Sequence, residues 1–356
     1  MIIMEKGATK EQIADVIDVV KKHGLRVDVS QGEFLTIIGL IGDESKISFA
    51  NLALMPGVKD ARMVETPYKL ISRDYSDPFI GKEQSRIVKV GDVHIGGDEP
   101  VIMAGPCAVE SKEQVFRIAK EVKAAGARIL RGGIYKPRSS VHSFQGLGSS
   151  GEAEAREALE WLRDAGHEYG MPVMTEVRGE YQTELIAEYV DILQIGSRNM
   201  YDQDLLGRVG RTGKPVLLKR HFGASVEEFL SFSEYIVAEG NKNVILCERG
   251  IVPVGKGNSY TRYNLDLGAV PVIRRETYLP IIVDPSHAAG RRDLIFDLSC
   301  AAIAAGAHGL VIEAHYNPKE AIVDAKQMIT PDELKDVIDA TLRISKIIND
   351  YKKKSS

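Results

Sequence analysis

The sequence predicts an α/β fold: a (β/α)8 TIM-type barrel preceded by a small ferredoxin-like (βαββαβ) α+β unit. Three observations predict it. From residue 100 onward, short apolar runs alternate with helical patterns, with runs at 100–104, 127–131, 172–176, 191–195, 215–219, 243–247, 280–284 and 308–313. Apolar runs this short are what strands covered on both faces look like, and eight strand–helix units in roughly 250 residues make a closed barrel. The first 65 residues follow a different order, strand–helix–strand–strand–helix–strand, the split-βαβ plan. Finally, Cys107, His287 and Glu313 sit at or just past the ends of three of the apolar runs, with Asp324 in the loop beyond the last. Side chains so distant in sequence meet only if the strands run parallel and the sheet closes.

The elements follow in order. Ile2–Met4 is a short strand. Thr9 and Gln12 form a capping-box pattern ahead of Ile13, Val16, Val19 and Val20 at helical spacing, and Gly24 stops that helix. Residues 25–29 alternate as a strand, Gly32 turns the chain, and 34–40 is a more apolar strand. A second helix over 45–54 ends near Pro56-Gly57, and 58–64 is the fourth strand. Residues 66–84 hold two prolines and many polar groups and read as a linker. The barrel unit then runs from 85 to 350 and opens with a β-hairpin, 87–90 and 93–95, turning at Gly91-Asp92. Ser111, Ser225 and Thr330, each three residues ahead of Gln or Glu, start barrel helices. Gly126, Gly170, Gly240 and Gly306 sit where helices should stop.

Composition narrows the function. The 356 residues are 44% hydrophobic and 27% charged with a formal net charge of −4, which gives no footprint for nucleic acid or an anionic membrane surface. No apolar run approaches the ~20 residues that span a bilayer. The start lacks the basic region of a signal peptide. Three cysteines make no disulfide framework, so the expected location is the cytoplasm.

Barrel active sites lie at the C-terminal ends of the strands. Those ends carry Cys107; Arg131 and Lys136-Pro137-Arg138-Ser139; Glu176; Arg198; Lys219 and Arg220; Glu248 and Arg249; Asp284 and His287; and Glu313, with Asp324 beyond. Taken singly, Cys107 is more simply a small buried hydrophobe, and any one arginine is as well explained by an ion pair with Glu176, Glu248 or Asp284. As a set they are not. One thiol, one imidazole and two carboxylates suit a divalent Mn, Fe, Co or Zn ion. Six or seven cations at one mouth call for a substrate rich in phosphate or carboxylate oxygens.

Several segments carry a family resemblance: Ala104-Gly105-Pro106-Cys107-Ala108, Leu130-Arg131-Gly132-Gly133, Lys136-Pro137-Arg138-Ser139-Ser140, Gln194-Ile195-Gly196-Ser197-Arg198-Asn199, Leu218-Lys219-Arg220, Cys247-Glu248-Arg249-Gly250 and Val283-Asp284-Pro285-Ser286-His287. Over residues 100 to about 345 the chain resembles the 3-deoxy-D-arabino-heptulosonate 7-phosphate (DAHP) synthases. Residues 1–65 resemble the regulatory domain of the type Iβ branch. The sister KDO8P synthases share the barrel but have Lys-Ala-Asn-Arg-Ser where this chain has Lys-Pro-Arg-Ser.

The resemblance implies condensation of phosphoenolpyruvate (PEP) with erythrose 4-phosphate and water, giving DAHP and phosphate. The alternative is a KDO8P-type condensation with arabinose 5-phosphate. It implies that Arg131, Lys136, Arg198, Lys219 and Arg249 hold PEP, and that Lys136, Pro137, Arg138 and Ser139 hold the aldose phosphate. Arg220, Glu248 and Asp284 complete the substrate site. The metal falls to Cys107, His287, Glu313 and Asp324. Lys136 is expected to donate a proton, its pKa lowered by neighbouring arginines, while Glu176 and His287 assist the chemistry. An aromatic effector, Tyr or Phe, and a homo-oligomer are implied too. The chain departs from the family pattern at His221, where Gly is common and a strained backbone is one expectation, and in the loop 251–264.

Overall fold

The computed structural model describes residues 1–32, 36–63, 67–73, 84–136, 142–253 and 260–355. Two compact units emerge: Met1–Gln84 with Glu276–Tyr278, and Ser85–Arg275 with Leu279–Ser356.

In the first unit, β1 (Ile2–Met4), α1 (Lys10–Lys22), β2 (Arg26–Gln31), β3 (Thr36–Ile41), α2 (Phe49–Ala53) and β4 (Val58–Ala61) follow in order. The strands form an antiparallel sheet ordered β2-β3-β1-β4, the ferredoxin-like arrangement. Thr9 caps α1 reciprocally with Gln12. The helix lays Ile13, Val16 and Val20 against Ile2, Met4, Ile38 and Leu40 of the sheet. The second helix is shorter than its sequence pattern. A 3-10 turn at Glu44–Lys46 precedes it, and Ser48 supplies the N-cap by accepting from the Asn51 amide. Residues 33–35, the start of the expected third strand, and 64–66 lie outside the described residues, as does most of the expected 66–84 linker.

The second unit opens with the hairpin β5 (Val88–Val90) and β6 (Val93–Ile95). Eight parallel strands then close a barrel: β7 (Val101–Gly105), β8 (Ile129–Arg131), β9 (Val173–Val177), β10 (Ile192–Ile195), β11 (Val216–Lys219), β12 (Val244–Glu248), β13 (Ile281–Val283) and β14 (Gly309–Glu313). Each falls on one of the eight apolar runs. Around them lie α3 (Lys112–Ala125), α4 (Glu152–Glu168), α5 (Thr183–Tyr189), α6 (Gln203–Arg211), α7 (Val226–Ala238), α8 (Ala269–Glu276), α9 (Pro285–Ala289), α10 (Ile295–Ala304) and α11 (Pro331–Ser355). Ser111 and Ser225 cap α3 and α7 as their spacing requires, and Gly126 ends α3 in the left-handed region.

The barrel is solid at its N-terminal end. Val88, Val90, Val93 and Ile95 of the hairpin pack into one core with Val101, Met103, Ile129, Met174, Ile192 and Leu217. Cys247 belongs to that core, and burial pushes its thiol far up. The opposite, C-terminal end is left for chemistry.

Candidate active site

Cys107 lies two residues beyond β7 and is held there by a continuation of the strand pairing. The Gly133 amide donates to the Cys107 carbonyl at 3.1 Å, and the Val109 amide donates to the Gly133 carbonyl at 2.9 Å. Only glycine fits at 133, because a Cβ there would stand 2.7 Å from the Cys107 carbonyl oxygen and 2.8 Å from Lys136 Cδ. The loop after β14 folds back on its own strand. Ile329 donates to the Glu313 carbonyl and His315 donates to the Ile329 carbonyl, each at 3.0 Å. That return brings Val323 and Met328 into a small apolar cluster with Cys107 and Ala108. Asp324, carried by this loop, is the one non-glycine residue at positive φ (54°) among those described. Its side chain caps no helix. Instead Cys107 Sγ donates to Asp324 Oδ2 at 3.1 Å.

The sulfur and the carboxylates of Glu313 and Asp324 offer ligand atoms all within 4.8 Å of one another. His287 stands outside that tight trio and joins it through Glu313, with Nε2 3.4 Å from Oε1. Glu313 is fully buried and heavily partnered. Oε1 accepts from Arg131 Nη1 at 3.2 Å, and Oε2 accepts from Gln327 Nε2 at 2.6 Å. Burial pushes the Glu313 pKa up, but His287, Arg131 and Lys136 outweigh it and hold the carboxyl below its usual value. Burial pushes the Cys107 thiol well up, with Glu313 adding to it. Two carboxylates and a thiol this close repel one another when ionised, so the cluster needs a proton or a cation among them. Sulfur, imidazole nitrogen and carboxylate oxygen together fit a divalent transition ion.

A second buried chain leads away from His287. Its Nδ1 is 2.7 Å from Asp284 Oδ2, which also accepts from Lys219 Nζ at 2.5 Å. Burial works against the Asp284 charge, yet His287 and Lys219 hold its pKa well below the carboxylate range. The ionised Asp284 orients the imidazole so that Nε2 faces Glu313.

Beside this network lies a cavity lined by Lys136, Arg198, Lys219, Arg249 and Arg262, with Glu176, His287 and Asp324 on its walls. Glu176 accepts from Gln194 at 3.2 Å and lies across Gly196, where a Cβ would stand 2.2 Å from its Oε1. Lys136 departs from expectation. Burial pulls its pKa down, but Cys107 and Glu313 outweigh burial and Arg131, and the amine stands above the ordinary lysine value. The neighbours that set this direction belong to the metal-type cluster and not to the arginines.

Arg220 and Glu248 do not line the cavity. Arg220 Nη1 donates to Glu248 Oε2 and to Asp266 Oδ2, each at 2.9 Å, and its Nε donates to the Ala224 carbonyl. Glu248 Oε1 accepts the Gly250 amide at 2.7 Å. This buried pair ties β11, β12 and the following loop together. Pro137, Arg138 and Ser139 lie outside the described residues. His221 is free of the anticipated strain, since its φ is not positive. Its Nδ1 accepts the Gly223 amide at 3.1 Å, and its ring lies between Tyr201 and Phe222.

Arg262, Tyr263 and Phe222 were not anticipated on the cavity wall. No strand end marks Arg262 or Tyr263. The loop after β12 returns to the mouth through an antiparallel bridge between Ile251 and Asn264, with Arg262 and Tyr263 donating to the Ala289 and Ala288 carbonyls of α9.

Comparison with known proteins bears on this geometry. A sequence profile of the DAHP synthetase I family matches residues 77–349, and one of the DAHP synthase ferredoxin-like domain matches residues 1–66. The phospho-2-dehydro-3-deoxyheptonate aldolase of Thermotoga maritima is 43% identical over 338 residues, 95% of each chain. The 2-dehydro-3-deoxyphosphooctonate aldolase of Syntrophobacter fumaroxidans is 29% identical over 273 residues, covering 72% of this chain and 91% of its own. The crystal structure of the Thermotoga maritima phospho-2-dehydro-3-deoxyheptonate aldolase (DAHP synthase) superposes with a TM-score of 0.74 at 41% identity, covering 98% of this chain and 97% of that one.

Proposed function

The chain belongs to the DAHP synthetase I family and is an enzyme of the DAHP synthase type, and from that premise we propose that it condenses PEP with erythrose 4-phosphate and water to give DAHP and phosphate. The observation that carries this reading is the convergence of five cationic side chains on one cavity beside a thiol–carboxylate cluster. A phosphorylated enol carboxylate is an anion of matching charge.

In this reading Lys136, Arg198, Lys219 and Arg249 receive the phosphate and carboxylate of PEP. Arg131 is engaged with Glu313 and the Pro106 carbonyl, so it acts by fixing that carboxylate. Arg220 and Glu248 hold the wall rather than the substrate. Cys107, Glu313 and Asp324, joined by His287, would hold a divalent ion, which when bound supplies Lewis-acid polarisation of an aldehyde oxygen. C3 of PEP forms a bond to the aldehyde carbon, and the electron pair of the carbonyl passes to oxygen. Lys136, whose raised pKa keeps it protonated, gives its proton to that oxygen. Water adds at C2 of the former PEP, and the C2–O bond to phosphate breaks. Glu176 orients the water or balances the charge that develops at C2. The ferredoxin-like unit carries feedback inhibition by an aromatic amino acid, Tyr or Phe.

The test is loss of PEP absorbance on adding erythrose 4-phosphate, with Mn and then with EDTA, beside arabinose 5-phosphate. Metal-dependent consumption with the four-carbon sugar alone is the expected result. Preference for the five-carbon sugar would move the chain's activity to that of its octulosonate relatives.

A further inference from the structure

The Arg249 guanidinium is buried, 5% exposed, yet its Nε and Nη1 have no hydrogen-bond partner among the described residues. Its Cζ sits 4.2 Å from the centroid of the Tyr263 ring. A second guanidinium, Arg262, stands 5.6 Å from the same ring. All three side chains line the cavity. The ring is itself fixed. Phe222 stacks on it at 5.4 Å and 23°, and the Tyr263 amide donates to the Ala288 carbonyl at 2.8 Å. Gly250, at φ +94°, leaves the room that Tyr263 takes. A Cβ there would stand 2.7 Å from the Tyr263 Cβ.

We propose that Tyr263 is a positioning residue for anion binding: its ring is the platform that holds Arg249 with Arg262 beside it, so that two guanidiniums present one seat for the phosphate of PEP. This rests on the reading that the cavity binds PEP. The physical case has two parts. A guanidinium over an aromatic face is attracted by the ring quadrupole and, because the attraction is to the face, its in-plane N–H donors stay available. Two of them, Nε and Nη1, go unmet among the described residues, which is costly unless a ligand meets them. Like charges this close are tolerated because the ring lies by both and because an anion is the guest.

The experiment uses the full chain without added metal, titrated calorimetrically with PEP and, separately, with inorganic phosphate. Tyr263→Leu should weaken both about tenfold, while Tyr263→Phe, which keeps the ring but loses the hydroxyl's hydrogen bond to Arg249, should fall between the leucine variant and the parent. In an Arg249→Met background, Tyr263→Leu should add no further loss, since its effect runs through Arg249. Thermal unfolding of each variant verifies folding. Parent-like affinity in Tyr263→Leu would overturn the proposal. So would a Tyr263→Phe variant as weak as the leucine one, or additive losses with Arg249→Met. A parent that binds phosphate but neither binds nor consumes PEP would sink the functional reading alone, with the phosphate arm still deciding the role of Tyr263. A parent that binds neither anion would overturn both.

Discussion

Gln327 donates its side-chain amide to Oε2 of Glu313 at 2.6 Å, and so one oxygen of that carboxylate is fixed from behind while the other faces Arg131 and His287. Gln327 sits on the returning loop three residues after Asp324, whose carbonyl accepts the Gln327 amide at 3.1 Å. One short segment therefore both presents Asp324 and orients Glu313.

Replacing Gln327 with Leu should lower affinity for a divalent ion roughly 10–100-fold, the usual cost of losing a group that orients a metal ligand. Competition against a chromophoric chelator measures it. Unchanged affinity would mean that Glu313 is oriented without Gln327, or that the ion sits elsewhere.

Gly196→Ala should cut turnover sharply while the protein stays folded. The added Cβ would stand 2.2 Å from Glu176 Oε1, so the carboxylate must move. The relevant measurement is kcat beside a melting curve. A variant with parental kcat would remove Glu176 from the chemistry.

Glu248→Ala should destabilise the fold by about 3 kcal/mol, because it strands Arg220 in the interior. Asp266 and the Ala224 carbonyl still hold Arg220, which keeps the loss near the low end of the range for broken buried pairs. Chemical denaturation reads it directly. A stable variant with a raised KM would instead return Glu248 to substrate binding.

Removing residues 1–65 should leave catalysis and abolish inhibition by Tyr or Phe. Inhibition that survives truncation would assign the effector to the barrel.

Strand positions were legible because burial on both faces leaves compact apolar runs, and glycines and capping serines punctuate them. The ligand-type residues were legible because parallel strands collect their C-terminal ends. Which strand-end residue faces the cavity was harder to read. Lys219 and Arg220 are consecutive, and side chains alternate along a strand; Lys219 lines the cavity while Arg220 turns to Glu248. That alternation was available in the sequence and would have separated them. Arg262 and Tyr263 offered no such signal, since a loop bridge of two residues, invisible to periodicity, returns them to the mouth. The sign of the Lys136 shift depended on how near Cys107 and Glu313 come, a distance no sequence spacing encodes.

The hairpin packed into the foot of the barrel leaves a vessel stoppered at one end. Whatever is made at the floor of such a vessel departs by the door through which its precursors came. Released phosphate must then pass the same guanidiniums and amines that gripped it as part of a larger molecule. Tightening that grip to capture scarce substrate would slow the emptying in equal measure, so the strength of the cationic wall is bounded from above by traffic as well as from below by capture.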